Sequence, residues 1–405
     1  MTISGAEPER ASKPPPRGAP SAALDLVCAC LAPGERPLPD MAALDPALLA
    51  RVARRHQVSA LVAARLAQAG APVPEPLRSQ AERARHRALR QLRFTLDLVD
   101  ALARHGVPAV PVKGVVLSQQ VFGSPLLRGA VDVDVLVRPG DVGTAWEVLA
   151  RLGFRQITPS SRIEGARLAL FCRAAKDSLH RHPENGQLVE LHWRLSDEMA
   201  DPSMPPEQSL ATVVPAPGRQ VRVLGDEALF VYLCTHGAAH GWARLKWLAD
   251  VAALLHGSPD GGARLWIAAR RAGACIAAGS AILLAQELFG LAPPQGFVPP
   301  RGARITVLLW LARRIIRAGE GARELETTPW RGWAEMLAKL LVAAGWPARL
   351  AVFRRLALAG EDIAQVPLPR GLFWLYPVLR VPLLVRRRAM RWRQLRRGGG
   401  VGNTA

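Results

Sequence analysis

Asp132 and Asp134 stand one residue apart inside a run of valines, Val131-Asp132-Val133-Asp134-Val135. Side chains alternate faces along a strand, so an extended chain here turns Val131, Val133, Val135 and Val137 one way and both aspartates the other. Carboxylates about 6–7 Å apart on one strand face raise each other's pKa. A bound divalent cation removes that cost, and hard carboxylate oxygens suit Mg²⁺, or Mn²⁺ in its place. Paired ions about 3.5–4 Å apart can activate an attacking hydroxyl and hold phosphates for in-line displacement. Alone, the pair also reads as the solvated face of an edge strand, or as acids paired with nearby arginines.

Three companions favour the metal reading. Glu190, again among alternating apolar residues in Leu188-Val189-Glu190-Leu191-His192-Trp193, offers a third carboxylate on another strand, with His192 and Arg194 on its expected face. Lys113-Gly114 falls where a strand gives way to a helix: glycine lets phosphate approach the backbone, free N–H groups point outward, and the lysine adds charge. Arg128, four residues before Asp132, can hold a triphosphate or its leaving group.

Other groups have competing readings. His236 and His240 share a helix face at a spacing also used for zinc, yet no Glu follows His236 and no third ligand is evident. They read as cleft lining, with Arg244 and Lys246 reaching a nucleotide, or as helix packing. Lys246 and Asp250 are four apart and can pair. His180 and His182 flank a turn, as an acceptor contact or a solvated hairpin, and Trp146, Trp193 and Trp247 read as core rather than as base-stacking platforms.

These residues need elements to hold them. The 405-residue chain is 49% hydrophobic, enough for two or three domains. Residues 1–20 are Pro-rich and aperiodic and read as a disordered tail. Helical spacing over 21–106 predicts an N-terminal helical region, closed by the His105-Gly106 cap. An α/β core is expected over 107–198: a short strand over 107–113, a helix from Gly114 to about Phe122, the Asp-x-Asp strand over 131–137, a helix capped by Asp141, and two strands joined by Pro183-Glu184-Asn185-Gly186. Residues 199–225 read as a linker, 226–357 as a helical domain, and 358–405 as a basic amphipathic segment ending in an Arg-rich run.

Composition bounds the partners. The formal charge of +20 permits nucleic acid, nucleotide or anionic lipid. Only Lys13, Lys113, Lys176, Lys246 and Lys339 are lysines, and the Ala-, Arg-, Gly- and Pro-rich remainder suits a GC-rich coding genome. Five cysteines, with Cys28-Ala-Cys30 lacking a zinc partner pair, indicate buried thiols in a reducing cytoplasm. No signal segment or membrane span is expected. The C-terminal run reads as a solvated helix face, or as a peripheral contact with membrane or nucleic acid.

Lys113-Gly114, Arg128, Asp132-Val133-Asp134 and Glu190-Leu191-His192-Trp193 together resemble the DNA polymerase β-like nucleotidyltransferase superfamily, and within it the uncharacterised nucleotidyltransferase family. "THGAAHGWARLKWLAD" (235–250) resembles that family's helical segment, and the likeness covers roughly residues 80–255. It implies an α+β fold, a small mixed-sheet polymerase β-like core embedded between mainly helical regions. It implies a metal-dependent enzyme moving a nucleoside monophosphate from an NTP to a hydroxyl acceptor, with pyrophosphate released. Asp132, Asp134 and Glu190 would be metal ligands and catalytic groups. Lys113, Gly114, Arg128, His192, His236, His240 and Lys246 would contact nucleotide or phosphate. The acceptor, whether small molecule, peptide, protein or RNA, stays open. Toxin-like or regulatory modifiers of RNA or protein have a similar layout, and a non-catalytic nucleotide- or nucleic-acid-binding scaffold is a further alternative. Two departures stand out: Val115 supplies no hydroxyl where the polymerase-type motif often has Ser, and the third acid is Glu rather than Asp.

Overall fold

Alternating valines pull one strand face inward, and this drives the centre of the molecule. The computed structural model describes residues 21–385 apart from 35, 43, 200–202, 325–330, 344, 346–347, 351–357 and 381. The tail at 1–20 and the Arg-rich run beyond 385 lie outside them. Strands β1 (Val110–Pro111), β2 (Asp132–Leu136), β3 (Arg155–Thr158), β4 (Asp177–Arg181) and β5 (Leu188–His192) form one sheet in the order β1-β2-β5-β4-β3. Only β2 and β5 run parallel. Val133, Val135, Val189 and Leu191 bury themselves against α6 (Val142–Arg151) and α7 (Gly165–Ala174), with α14 (Gly360–Gln365) adding Ile363.

A second body is helical. α1 (Ala22–Leu31), α2 (Pro46–Arg55) and α3 (Ser59–Gln68) share one core with α8 (Asp226–Ala239), α9 (Leu245–Gly257), α10 (Ala263–Arg271), α11 (Cys275–Phe289), α12 (Ala303–Ile316) and α13 (Arg331–Val342). The helices before and after the sheet therefore close around each other. The fully buried Arg55 fastens them, donating to the carbonyls of Ala243, Ile315 and Arg323. α4 (Glu75–Arg104), about 45 Å long at 1.5 Å per residue, joins the parts: Leu77 and Ala81 pack in the helical core, Leu98 and Leu102 behind the sheet.

The mixed α+β class and α5 (Gly114–Phe122) are as the sequence indicates. Three local expectations need correction. Val131 is 54% exposed, because pairing begins only at Asp132, opposite Leu188. Asp141 makes no capping bond; Pro139–Asp141 is already a 3₁₀ turn, so Asp141 lacks the extended backbone an N-cap needs. Residues 199–225 are not merely a linker: β6 (Leu210–Ala216) and β7 (Arg219–Leu224) form a hairpin around Pro217-Gly218. Val221 and Val223 of that hairpin cover Val115 and Val116 of α5. No helix among the described residues is long and apolar enough to cross a membrane. All five cysteines are free, and Cys28 and Cys30 are buried, their thiols pushed up to about 12 chiefly by burial.

Glycine at 237 is set by contact: a Cβ there would sit 2.3 Å from the Trp242 ring. We expect Gly237→Ala to cost about 1–3 kcal/mol through overpacking, read as a lower thermal midpoint. Gly257→Ala, where a Cβ meets nothing within 4 Å, is the control and should not lose stability.

Candidate active site

The parallel pairing of β2 with β5 sets Asp134 opposite Glu190 in register, with Asp132 two residues back on the same face. Leu136, next along that face, packs into the helical core, so the acids look toward the helices. Asp134 is buried, and its Oδ1 accepts from Lys113 Nζ at 2.7 Å and His192 Nε2 at 3.0 Å. Glu190 Oε2 lies 3.3 Å from the same imidazole nitrogen. Burial works against charge on Asp134, yet Lys113 and His192 hold its carboxyl well below the usual range. Asp132 moves the other way: burial first, then the charges of Asp134 and Glu190, push its pKa up. Environment thus drives apart two acids of one strand.

The donors suit a cation. Ligand atoms of Asp134, Glu190 and His192 all lie within 4.8 Å of one another, a group that could hold a metal ion. This set differs from the expected Asp132, Asp134 and Glu190 by including His192, which the sequence assigned to nucleotide. The buried Nδ1 of His192 has no hydrogen-bond partner and lies 3.8 Å from Asp177 Oδ2. An imidazole ligating through Nε2 carries its proton on Nδ1, facing that carboxylate, an arrangement common around metal-bound histidines.

Cations surround the acids. Burial opposes the Lys113 ammonium, but Asp134, Tyr232 and Glu190 keep its pKa well above the ordinary value. Lys113 also sits 5.7 Å from the centre of the Tyr232 ring. Gly114, which opens α5 with φ +69, takes a conformation that favours glycine. Lys246, half-buried on α9, donates to Gln57 Oε1 rather than to Asp250. Burial and then Arg128 bring its pKa down to about 7. Asp250 is taken by Arg128, whose Nε lies 2.9 Å from both carboxylate oxygens; both residues are buried. Arg128 thus sits beneath the site in an ion pair, with its backbone N–H on Ser118 Oγ. Arg244 is also engaged, with Glu324 and the carbonyl of Arg55.

Several expected groups lie elsewhere. Arg194 donates to the carbonyls of Cys172 and Ala175 at the end of α7, away from the acids. Ser178 and His180 face the opposite side of the sheet from Asp177; there His180 meets Ser178 Oγ, lines a cavity of about 780 Å³ with Trp146 and Phe154, and is held by burial at a pKa of about 4. Trp146 and Trp193 are core, as expected, but Trp247 is half-buried against His236 and His240. The sequence reading missed Lys176, Asp177, Tyr232 and Gln57. One signal was available for Lys176: a chain with five lysines against 53 basic residues places three of the five around one set of acids.

Carboxylates matched across parallel strands, with His192 beside them, form a group that could hold a metal ion. The family model described as uncharacterised nucleotidyltransferase matches residues 42–290, and the chain belongs to that family. An NTP is therefore the substrate the family implies. Nothing among the curated proteins matches. Among solved structures, the chain is similar to the antibiotic-resistance factor ANT(2'')-Ia, at 16% identity and TM-score 0.33, over 45% of this chain and 92% of that one.

Two outcomes test this geometry. Asp250→Ala strands a buried guanidinium and should cost about 3–5 kcal/mol, whereas Arg128→Met with Asp250→Leu should recover most of it; chemical denaturation of the three proteins decides. The Lys246 ammonium is present below about 7 and lost above it. Affinity for inorganic tripolyphosphate should therefore fall as pH rises through that value, and Lys246→Arg, charged throughout, should abolish the step.

Proposed function

We propose that this chain transfers a nucleoside monophosphate from an NTP to a hydroxyl acceptor, releasing pyrophosphate, with Mg²⁺ or Mn²⁺ as its metal. The observation that carries this is the in-register placement of Asp134 against Glu190, with Asp132 on the same face and Lys113 bonded to Asp134. Asp132, Asp134, Glu190 and His192 would hold the metal, which when bound supplies positive charge for the reacting phosphate and lowers the pKa of a bound hydroxyl.

The chain's own groups do the remaining work. Lys113, the backbone at Gly114 and Lys246 bind the triphosphate oxygens. Arg128 adds charge from below while Asp250 fixes its orientation. Without a hydroxyl at Val115, phosphate holding falls to these cations and N–H groups. A Glu190 carboxylate oxygen takes the acceptor's proton as the acceptor oxygen bonds to the α-phosphorus and the bond to pyrophosphate breaks. The Nε2 of His192 that would ligate the metal otherwise donates to Asp134 beside Glu190, so the imidazole holds the two acids together only while no cation is bound. Burial and Lys176 disfavour its charged form, yet its hydrogen bonds to these acids leave its pKa raised.

The test is incubation of the full chain with each α-labelled NTP, Mg²⁺ and a cell extract, beside Asp134→Asn. We expect label on an acceptor with wild type and a drop of at least about 100-fold with the variant, the scale of losing a group that acts in the transition state. Equal labelling by the two proteins would sink the mechanism.

A further inference from the structure

The rings on the helical side of the site are left unused by this chemistry. Four rings assemble here, two of them histidines and two drawn from the 5% of the chain that is Phe, Trp or Tyr. Tyr232, His236 and His240 follow one another at single-turn intervals along α8 and its C-terminal end, with ring centres 5.9 and 4.8 Å apart. Trp247 of α9 meets both histidines, edge-on to His236 at 5.3 Å and 35° from parallel with His240 at 5.4 Å. The row begins at the acids, because Tyr232 lies under Lys113, and Lys113 is bonded to Asp134.

Several other tryptophans of the chain behave as core, while Trp310, Trp333 and Trp374 are exposed. Trp193 and Trp242 are fully buried, their indole N–H groups donating to the Cys172 and Ala175 carbonyls and to Ser280 Oγ. Trp247, His236 and His240 instead remain partly open. A metal does not account for the histidines: among the described residues the group with metal-ligand spacing is Asp134, Glu190 and His192. A phosphate contact does not suit His236 either. Burial, then Lys113 and His240, hold its pKa well below the ordinary value, so it presents a neutral ring.

A planar π surface one step from a polyphosphate site matches a nucleobase, since every base has a face to stack whatever its edge. We infer that Trp247, backed by His240 and His236, is the platform on which the base of the NTP stacks. This rests on the reading of the acids as an NTP site. Recognition through ring faces tolerates all bases, so the four NTPs should bind within a few-fold of one another.

The test measures binding of two ligands to the full chain by titration calorimetry with Mg²⁺: α,β-methylene-ATP, which carries a base, and inorganic tripolyphosphate, which does not. Stacking on an aromatic side chain is worth about 1–3 kcal/mol per base, or about 5- to 150-fold. Trp247→Leu should weaken the analogue within that range and leave tripolyphosphate unchanged, and Trp247→Phe should restore most of the loss. Unchanged binding of both ligands in Trp247→Leu overturns the platform alone, as does an equal loss for both. Wild-type protein that binds neither ligand overturns the polyphosphate site, and the platform with it.

Discussion

Setting Asp134 beside Glu190 on neighbouring parallel strands brings like charges together where water is scarce, and much of the site answers that repulsion. Lys113 places its ammonium on Asp134 from the start of α5. His192 lies between the two acids from two residues along β5. Asp132, lacking such a partner, is pushed toward its protonated form. The cation that fits the donors would complete the neutralisation that one lysine begins.

The helical body supplies a second layer of charge. Lys246 and Asp250 leave α9 one turn apart but find different partners, Gln57 and Arg128. Gln57 sits at a positive φ in the turn after α2, beside His56, whose Nδ1 accepts from the N–H of Leu245. The beginning of the chain is thus fastened next to the lysine that faces the acids. The family match starting at residue 42 takes in this turn, as a site built partly from N-terminal helices requires.

What could be read from sequence was whatever local periodicity records. The valine and aspartate alternation of β2, the Lys-Gly helix start and the Glu-Leu-His-Trp strand all carry their geometry in a few consecutive residues. Pairings across long separations carry no such signature. Arg128 meets Asp250 across 122 positions and Lys246 meets Gln57 across 189. The i,i+4 rule suggested instead that Lys246 pairs with Asp250, because it knows only one helix. The β6–β7 hairpin escaped notice because Pro215 and Pro217 interrupt its alternation. Trp247 packs on the helical core yet stays half-buried, because burial depends on neighbours that no local pattern names.

The sharing of one core by α1–α3 and α8–α12 has a consequence for synthesis. Arg55 leaves the ribosome early, yet the carbonyl of Ile315 that it caps lies 260 residues downstream. α2 and α3 can close on α4 before the sheet is made, but the faces of the first helices turned toward α8–α12 must wait while the sheet between them is translated. The core those helices share is thus completed only once α12 is made.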